Sequence, residues 1–259
     1  MATNYEQFVR FYDLDTQGFD ADLPFWTNLA RRTGGPILEI GAGTGRILIP
    51  LAEAGFSVVG VDSSPGMLAV ARQKVKAARL GKKITLVEAD ARDFQLNRLF
   101  PLAFVALNTF GHFGEPGEPE CVLERLRVHL QPGGLLALDL PNPTAGAFGD
   151  TNGLLLHEYT RPGPTADSQT VKLRSQLLDE IDQRINVSVM YDEVNPSGEV
   201  RRTLASFVLR YFYAHEIELL LRLAHFTVEA IYGSYELDAL TDRSERMLVV
   251  ARAAPMEVE

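Results

Sequence analysis

Two hydrophobic patterns alternate in the first half of the chain. Between residue 37 and about residue 140, short continuous apolar runs alternate with longer segments whose apolar residues recur every three or four positions. Continuous runs are typical of parallel strands buried on both faces, and the longer period is typical of helices packed on one face. The alternation therefore predicts an α/β fold, in which helices cover both faces of a doubly wound, mostly parallel sheet.

The individual elements of this half follow from the same pattern and from its turn signals. Glycine ends the first helix after the glycine-rich loop, and Ser63-Ser64-Pro65 predicts the start of the next one. The predicted strands cover residues 37–40, 58–62, 84–87, 102–107 and 135–140; the predicted helices cover residues 47–54, 65–80 and 118–130, and a turn is predicted at residues 131–134.

The flanking segments have other patterns. The first 34 residues predict a helical cap. Residues 142–167 are rich in glycine, proline, threonine and asparagine and predict a loop around one strand, whereas the strands from residue 170 onward alternate polar and apolar side chains, as exposed or half-buried antiparallel strands do. Three units are thus expected: the helical cap 1–34, a core formed by 35–144 and 214–254, and an antiparallel β insertion, 145–213. The predicted insertion strands cover residues 154–159, 170–178, 186–194 and 200–213; a helix at 215–223 and strands at 227–232 and 246–251 follow.

Charge and cysteine content narrow the class of protein. The chain has 259 residues, with 34 acidic and 25 basic side chains, so its formal charge is −9. An acidic balance disfavours nucleic acid as a partner, because nucleic-acid binders carry a basic footprint. Cys121 is the only cysteine, which excludes an intrachain disulfide framework. No apolar run approaches about eighteen residues, and the first residues lack a secretory signal, so we expect a cytoplasmic protein without a membrane span.

A glycine-rich loop is the main chemical signal. Gly41, Gly43 and Gly45 lie between a predicted strand and a predicted helix, where the backbone can approach a ligand closely. The next strand ends in Asp62, which is 62 − 41 = 21 residues beyond the first glycine. That spacing places a carboxylate where it can accept hydrogen bonds from two ribose hydroxyls. The pattern predicts a nucleoside-containing cofactor.

Two residues discriminate between the candidate cofactors. A dinucleotide fingerprint, GxGxxG, requires glycine at position 46, where this chain has Arg46. Glu39 precedes the loop, and a carboxylate there disfavours a pyrophosphate but suits a cationic ligand. S-adenosylmethionine carries a sulfonium and an ammonium group and no phosphate. These residues favour it over a nicotinamide cofactor.

Together these motifs resemble a known family, the class I S-adenosylmethionine-dependent methyltransferases. Residues 37–74 resemble the first two motifs of that family, 84–94 its third-strand motif, 107–113 its segment after the fourth strand and 130–143 its fifth-strand segment. The resemblance implies a seven-stranded sheet whose last strand is antiparallel, with S-adenosylmethionine as cofactor and S-adenosylhomocysteine as product. It also implies that the cofactor-binding residues are Tyr12, Glu39, Gly41, Ala42, Gly43, Gly45, Arg46, Asp62, Ser63, Met67, Asp90, Ala91, Leu107 and Asn108.

The acceptor is less well specified by the sequence. Family members that methylate nucleobase amines or glutamine amides resemble a D/N-P-P-Y/F pattern after the fourth strand, whereas this chain has Asn108-Thr109-Phe110-Gly111. His112 follows, and it is the candidate general base, with a histidine that only caps the next helix as the alternative. No aspartate and asparagine cluster matches a metal-dependent site, so no metal is expected.

The insertion is the remaining clue to the substrate. Between residues 171 and 213 six basic and six acidic side chains give no net charge, which is a poor platform for a phosphate backbone. Its aromatic residues could roof a pocket or form a subunit interface, and the second use would give a homodimer. Phe110, His112, Tyr191 and Tyr211 are the expected substrate-contacting residues.

We therefore expect methyl transfer to a small-molecule acceptor by in-line displacement, with an amine favoured over a hydroxyl. Placement of the acceptor at attack distance can supply much of the rate. Three alternatives stay open: a methyltransferase of RNA or protein, a cofactor-binding regulatory protein without activity, and a nicotinamide-dependent oxidoreductase.

Overall fold

The elements of the fold follow the predicted order. The computed structural model describes residues 5–143 and 150–255. Its helices are α1 (Val9–Asp15), α2 (Leu23–Thr33), α3 (Leu48–Glu53), α4 (Pro65–Ala77), α5 (Glu118–His129) and α6 (Ala214–Leu223). Its strands are β1 (Ile37–Ile40), β2 (Val58–Asp62), β3 (Ile84–Glu88), β4 (Phe100–Val105), β5 (Leu130–Pro141), β6 (Leu155–Pro162), β7 (Gln169–Asp179), β8 (Arg184–Val194), β9 (Val200–Arg210), β10 (Phe226–Tyr232) and β11 (Arg246–Ala253).

Seven strands form the central sheet, in the order β10-β11-β5-β4-β1-β2-β3. Strands β1 to β5 pair in parallel, and β11 runs antiparallel to both of its neighbours, β5 and β10. The predicted fold class, a mostly parallel seven-stranded sheet with an antiparallel last strand, is confirmed. Because the parallel strands run in one direction, the loops that follow β1, β2, β3 and β4 meet at one edge, which is where open α/β sheets bind ligands.

Helices bury both faces of this sheet. Apolar residues of α5 and α6 pack against one face, and those of α2, α3 and α4 pack against the other. Trp26 is fully buried in the second of these cores and stacks on Phe104 of β4 with ring centroids 4.6 Å apart. Two-sided burial explains why β1 and β4 consist almost entirely of apolar residues.

A second, four-stranded antiparallel sheet has the order β6-β7-β8-β9. One of its faces packs on α1 and on the start of α4, and together they form a third core. Tyr191 of β8 stacks on Phe11 of α1, with centroids 3.9 Å apart and planes inclined by 4°. The insertion is thus fixed to the N-terminal helix as well as to the body. The predicted core–insertion boundary, at residues 144 and 145, lies outside the described residues.

Several predicted element bounds are wrong: the helix predicted at 65–80 ends at Ala77, and the strand predicted at 200–213 ends at Arg210. Two further differences lie in the central sheet. Residues 131–134 were expected to form a turn but belong to β5, which pairs with β4 through a register shift between Phe100 and Leu102. The fourth strand was expected to reach Leu107 but ends at Val105, because Leu107 and Asn108 both have positive φ, 46° and 58°. Among the described residues no helix combines the length and apolar character needed to cross a membrane.

Gly60 of β2 leads to a testable prediction about packing. A Cβ at this position would lie 2.7 Å from Ala42 Cβ and 2.8 Å from Leu48 Cδ2, so the glycine loop and α3 pack directly on the strand. We expect Gly60→Ala to lower the free energy of unfolding by about 1–3 kcal/mol, the usual cost of overpacking. Urea denaturation measures this. Gly81→Ala is the matched control, since a Cβ there meets nothing within 4 Å; equal stability of the two variants would contradict the packing argument.

Candidate active site

The glycine-rich loop turns sharply between β1 and α3. Gly41 has φ +72°, and a Cβ at this position would lie 2.4 Å from Thr109 Cγ2, so only glycine fits. A Cβ on Gly43 would lie 3.6 Å from the Tyr12 ring, which shows that Tyr12 of α1 covers the loop. Burial raises the pKa of Tyr12 to about 12, so its hydroxyl keeps its proton at neutral pH.

Asp62 joins the loop to the neighbouring strand. Its Oδ2 accepts a hydrogen bond from the Gly43 N–H at 2.7 Å, and its Oδ1 accepts one from the Ser64 N–H at 2.8 Å. Burial raises the pKa of Asp62, while the two backbone donors act in the opposite direction. Each carboxylate oxygen keeps a further lone pair for a ligand.

Glu39 lies beneath the loop and is buried. Its Oε2 has no hydrogen-bond partner among the described residues, whereas the Leu48 N–H donates to the carboxyl group. Burial raises the pKa of Glu39 well above its usual range, and the nearby Arg46 opposes this effect only in part. A buried acceptor without a partner is costly unless a ligand supplies the missing donor.

Arg46 contributes to the structure of the loop rather than to the cavity. Its guanidinium donates two hydrogen bonds to Asp22, at 2.7 and 2.6 Å, and Asp22 also accepts from Trp26 Nε1 at 2.9 Å. The sequence placed Arg46 among the cofactor-binding residues. Its side chain instead ties the start of α3 to α2, because a fully buried aspartate needs a paired cation.

Asp90 follows β3 and is held by an arginine that sequence reasoning missed. Arg92 donates to Asp90 through Nε at 2.8 Å and Nη2 at 2.5 Å, and it also contacts Glu118 of α5. These hydrogen bonds lower the pKa of Asp90. Arg92 lines the cavity, and the two-residue spacing from Asp90 within one loop is the only sequence signal that could have indicated this pair.

The segment after β4 is held in an uncommon conformation. The Leu107 N–H donates to Asp139 Oδ2 at 3.0 Å, and the Asn108 N–H donates to the Asp139 carbonyl at 2.9 Å. Tyr235 donates to the same Oδ2 at 2.8 Å. Asp139 thus stabilises two successive left-handed residues, a strain that concentrates at functional sites. Asn108 Oδ1 is buried without a hydrogen-bond partner in the part of the chain that the structure describes.

His112 ends a 3-10 turn, Thr109–His112, and lines the cavity. Its ring lies beside Phe207 of β9, with centroids 5.7 Å apart. Burial lowers the pKa of His112 to about 4, so the imidazole is neutral at physiological pH. A neutral imidazole has one ring nitrogen that can accept a hydrogen bond.

One cavity of about 740 Å³ is lined by several of these groups, among them Asp62, Asp90 and His112. Its inner part extends over the loops after β1 to β4, and its outer part reaches His112 and the ends of β8 and β9. Among the predicted cofactor-binding residues, those that line it are Tyr12, Gly41, Gly43, Asp62, Ser63, Met67, Asp90, Ala91 and Leu107; those that do not are Glu39, Ala42, Gly45, Arg46 and Asn108.

Three of the four predicted substrate-contacting residues do not line the cavity. Phe110 is fully buried against Phe212, with ring centroids 5.3 Å apart. Tyr211 is buried in the third core. Tyr191 is also buried, and it reaches Asp15 instead of the cavity. His112 is the one that lines the cavity.

Asp15, at the end of α1, accepts hydrogen bonds from three side chains of the insertion. Its Oδ1 accepts from the Tyr159 hydroxyl at 2.6 Å, and its Oδ2 accepts from the Tyr191 hydroxyl at 2.5 Å and from Lys172 Nζ at 2.9 Å. Asp15 lines the cavity as well. This cluster holds the second sheet against the helix that carries Tyr12.

Within residues 5–143 and 150–255, no group of three or more histidine, cysteine, aspartate or glutamate side chains could hold a metal ion.

Known proteins are similar to this chain in sequence and in architecture. The family described as "Methyltransferase domain" matches residues 37–134. The cypemycin N-terminal methyltransferase of a Streptomyces species is 31% identical over 256 residues, which is 95% of each chain. The dTDP-3-amino-3,6-dideoxy-alpha-D-glucopyranose N,N-dimethyltransferase of Streptomyces fradiae is 29% identical over 140 residues, which is 51% of this chain and 52% of that one.

The structure of the CcbJ methyltransferase from Streptomyces caelestis superposes with a TM-score of 0.81 and 26% identity, over 98% of this chain and 99% of that chain. The fold, the cavity and these similarities define the class of enzyme. The chain belongs to the class I S-adenosylmethionine-dependent methyltransferases. S-adenosylmethionine is its cofactor.

The shifted pKa of His112 predicts a pH dependence of stability. Its pKa is about 4 in the folded chain and about 6.5 in the unfolded chain, so the unfolded state binds the extra proton first as the pH falls. Stability should therefore decrease from about pH 6.5 down to about pH 4. Because the ring still meets some solvent, we expect the loss to be roughly 1–3 kcal/mol.

Urea unfolding between pH 7.5 and pH 4 measures this loss, and His112→Gln should lack it. His215→Gln is the control, because the His215 side chain is 96% exposed. If the curves of wild type and His112→Gln run parallel, burial does not suppress the protonation of His112.

Proposed function

We propose that this methyltransferase transfers the methyl group to an amine nitrogen of a small-molecule acceptor. The observation that carries the proposal is the continuity of the cavity, from the carboxylates of Asp62 and Asp90 to the neutral imidazole of His112. Two relatives support the choice of nitrogen, since their names describe methylation of an N-terminus and of an amino sugar.

The inner part of the cavity fits S-adenosylmethionine. Asp62 would accept from the ribose hydroxyls, and Asp90 with Ala91 would meet the adenine. Glu39 lies within β1 and Asn108 follows the adjacent strand β4. Each has a buried oxygen without a partner among the described residues, which suits the donors of an ammonium group. A cation near Glu39 would also stabilise its ionised form against the cost of burial. When bound, the cofactor supplies a methyl group on a positively charged sulfur.

His112 would orient the acceptor. A histidine whose pKa is about 4 is a weak base, so its main contribution would be a hydrogen bond from the amine N–H to a ring nitrogen, which aims the nitrogen lone pair. Desolvation in the cavity lowers the pKa of an amine, which favours the neutral nucleophile. Proximity and orientation then account for most of the rate.

The outer end of the cavity favours a small acceptor over a nucleic acid. Arginines and glutamates alternate there, namely Arg92, Arg184 and Arg210 with Glu115 and Glu118. A phosphate backbone would require an excess of positive charge. The second sheet would act as the roof of this end.

We also place the enzyme in the cytoplasm, which its single cysteine supports.

Asp62 provides a test of the cofactor site. S-adenosylhomocysteine should raise the melting temperature of the wild-type protein, because a ligand that binds only the folded state stabilises it. Asp62→Asn removes the charge that would hold the ribose, so its affinity measured by calorimetry should fall about tenfold or more. Asp192→Asn removes a paired carboxylate from the second sheet and is the control. Unchanged affinity of the Asp62 variant would contradict this assignment.

The choice of acceptor is tested with labelled S-adenosylmethionine. We expect label to enter primary or secondary amines of a small-molecule panel and not the alcohols of matched skeleton, because a hydroxyl needs a stronger base than His112. RNA and protein fractions are assayed in parallel. Label in the alcohols, in RNA or in protein, with none in the amines, would refute the proposal.

A further inference from the structure

Two arginines face each other at the outer end of the cavity. Arg184 begins β8 and Arg210 ends β9, and the two are direct partners in the register of these strands. Both line the cavity. Directly opposed side chains of a sheet have Cβ atoms about 5 Å apart, and like charges in this arrangement destabilise it. Glu115 and Glu216 offset part of this repulsion, and an anion between the two side chains would offset more of it.

Neither arginine uses all of its N–H donors in the contact with its glutamate partner. Arg184 contacts Glu115 at 3.0 Å, but the Glu115 side chain is 63% exposed, and ion pairs of this kind contribute little. Arg210 contacts Glu216, while its Nε is buried without a hydrogen-bond partner among the described residues. A guanidinium has five N–H donors in a planar fork that matches the oxygens of a carboxylate or a phosphate.

The pair lies next to the proposed amine site. The backbone of Arg210 packs on the turn that carries His112: a Cβ on Gly111 would be 2.8 Å from the Arg210 carbonyl oxygen, and a Cβ on Gly114 would be 3.2 Å from Arg210 Cβ. An acceptor whose nitrogen meets His112 would thus lie close to Arg210, in the cavity that both arginines line. The glycines at 111 and 114 allow this close approach.

We propose that Arg184 and Arg210 bind an oxyanion of the acceptor, so that the substrate is an amine that also carries a carboxylate or phosphate group. This inference rests on the proposed amine methylation and specifies its substrate class. The oxyanion would accept hydrogen bonds from both guanidinium groups and replace the exposed Glu115 as the partner of Arg184. The anion would thereby add binding free energy that the ground state and the transition state share, which lowers KM.

The first test measures anion binding directly. Inorganic phosphate and acetate are titrated separately into the protein saturated with S-adenosylhomocysteine, at ionic strength held constant with chloride, and the melting temperature is followed. We expect saturable stabilisation by at least one of the two anions, and we expect Arg184→Gln and Arg210→Gln each to weaken the affinity about tenfold.

Arg202→Gln is the matched control. Arg202 pairs across the same two strands with Asp192 and does not line the cavity, so its removal should leave anion binding unchanged. If neither anion stabilises the wild type, or if all three variants bind them equally, the anion site is refuted.

The second test uses pairs of amines in which one member carries an oxyanion and the other a neutral group, with KM compared at a pH where both amines are in the same protonation state. One pair compares an amino acid with its amide, and the other compares an amino-sugar phosphate with the free amino sugar. The charged member should have a KM about tenfold lower, and both arginine variants should abolish this difference while changing kcat little. The two pairs distinguish a carboxylate from a phosphate.

The outcomes separate the two proposals. Equal KM values within each pair, unaffected by the arginine variants, would refute the oxyanion site while leaving amine methylation intact. No methylation of any amine, together with methylation of alcohols, would refute the proposed function, and the anion titration would then decide the site alone.

Discussion

The hydrogen bonds accepted by the Asp62 carboxylate connect the parts of the proposed cofactor site. One oxygen is bonded to the glycine loop that follows β1, and the other to the residue that caps α4. A parallel sheet brings these segments to one edge but does not fix their relative positions. Asp62 fixes them through backbone N–H groups, so the shape of the loop depends little on the identity of nearby side chains. Its burial makes both bonds strong, because few water molecules compete for the same oxygen.

The same edge also carries several costs. Glu39 and Asn108 have buried oxygens without partners in the described part of the chain, and Leu107 and Asn108 have left-handed backbone. Each would destabilise a protein that had only to fold. These unfavourable features are concentrated near one cavity. We infer that they serve ligand binding and that the rest of the fold compensates for their cost in stability. The extensive cores on both faces of the central sheet provide this compensation.

Much of the fold could be predicted because burial determines it. Strands such as β1 and β4 are covered on both sides and therefore consist of apolar residues, which makes them visible in the sequence. The glycine loop and Asp62 could also be recognised in the sequence, because their spacing is that of a strand, a turn, a helix and the end of the next strand. Turn and strand could not be separated at residues 131–134, because glycine and proline occur both in turns and in irregular strand ends.

Side-chain partners were harder to predict than elements. Arg92 binds Asp90 within one loop, and Tyr191 reaches Asp15 from 176 residues away; neither pairing has a periodic signature. Phe110 was assigned to the substrate site, yet it points into the core, whereas His112, two residues later, lines the cavity. In a 3-10 turn, side-chain directions differ by about a third of a revolution per residue, so a segment can be located correctly while its individual contacts are not.

The Asp15 cluster has a consequence for the order of events at the site. It binds the second sheet to α1, and α1 also carries Tyr12, which covers the glycine loop. The proposed cover of the cofactor and the proposed roof of the acceptor end are therefore parts of one assembly. An opening that breaks the contacts of α1 would expose both ligands together, and one that preserves them would admit the acceptor only through the outer mouth. In the proposed site, exchange of spent cofactor and entry of a new acceptor would therefore be coupled through a single helix of seven residues.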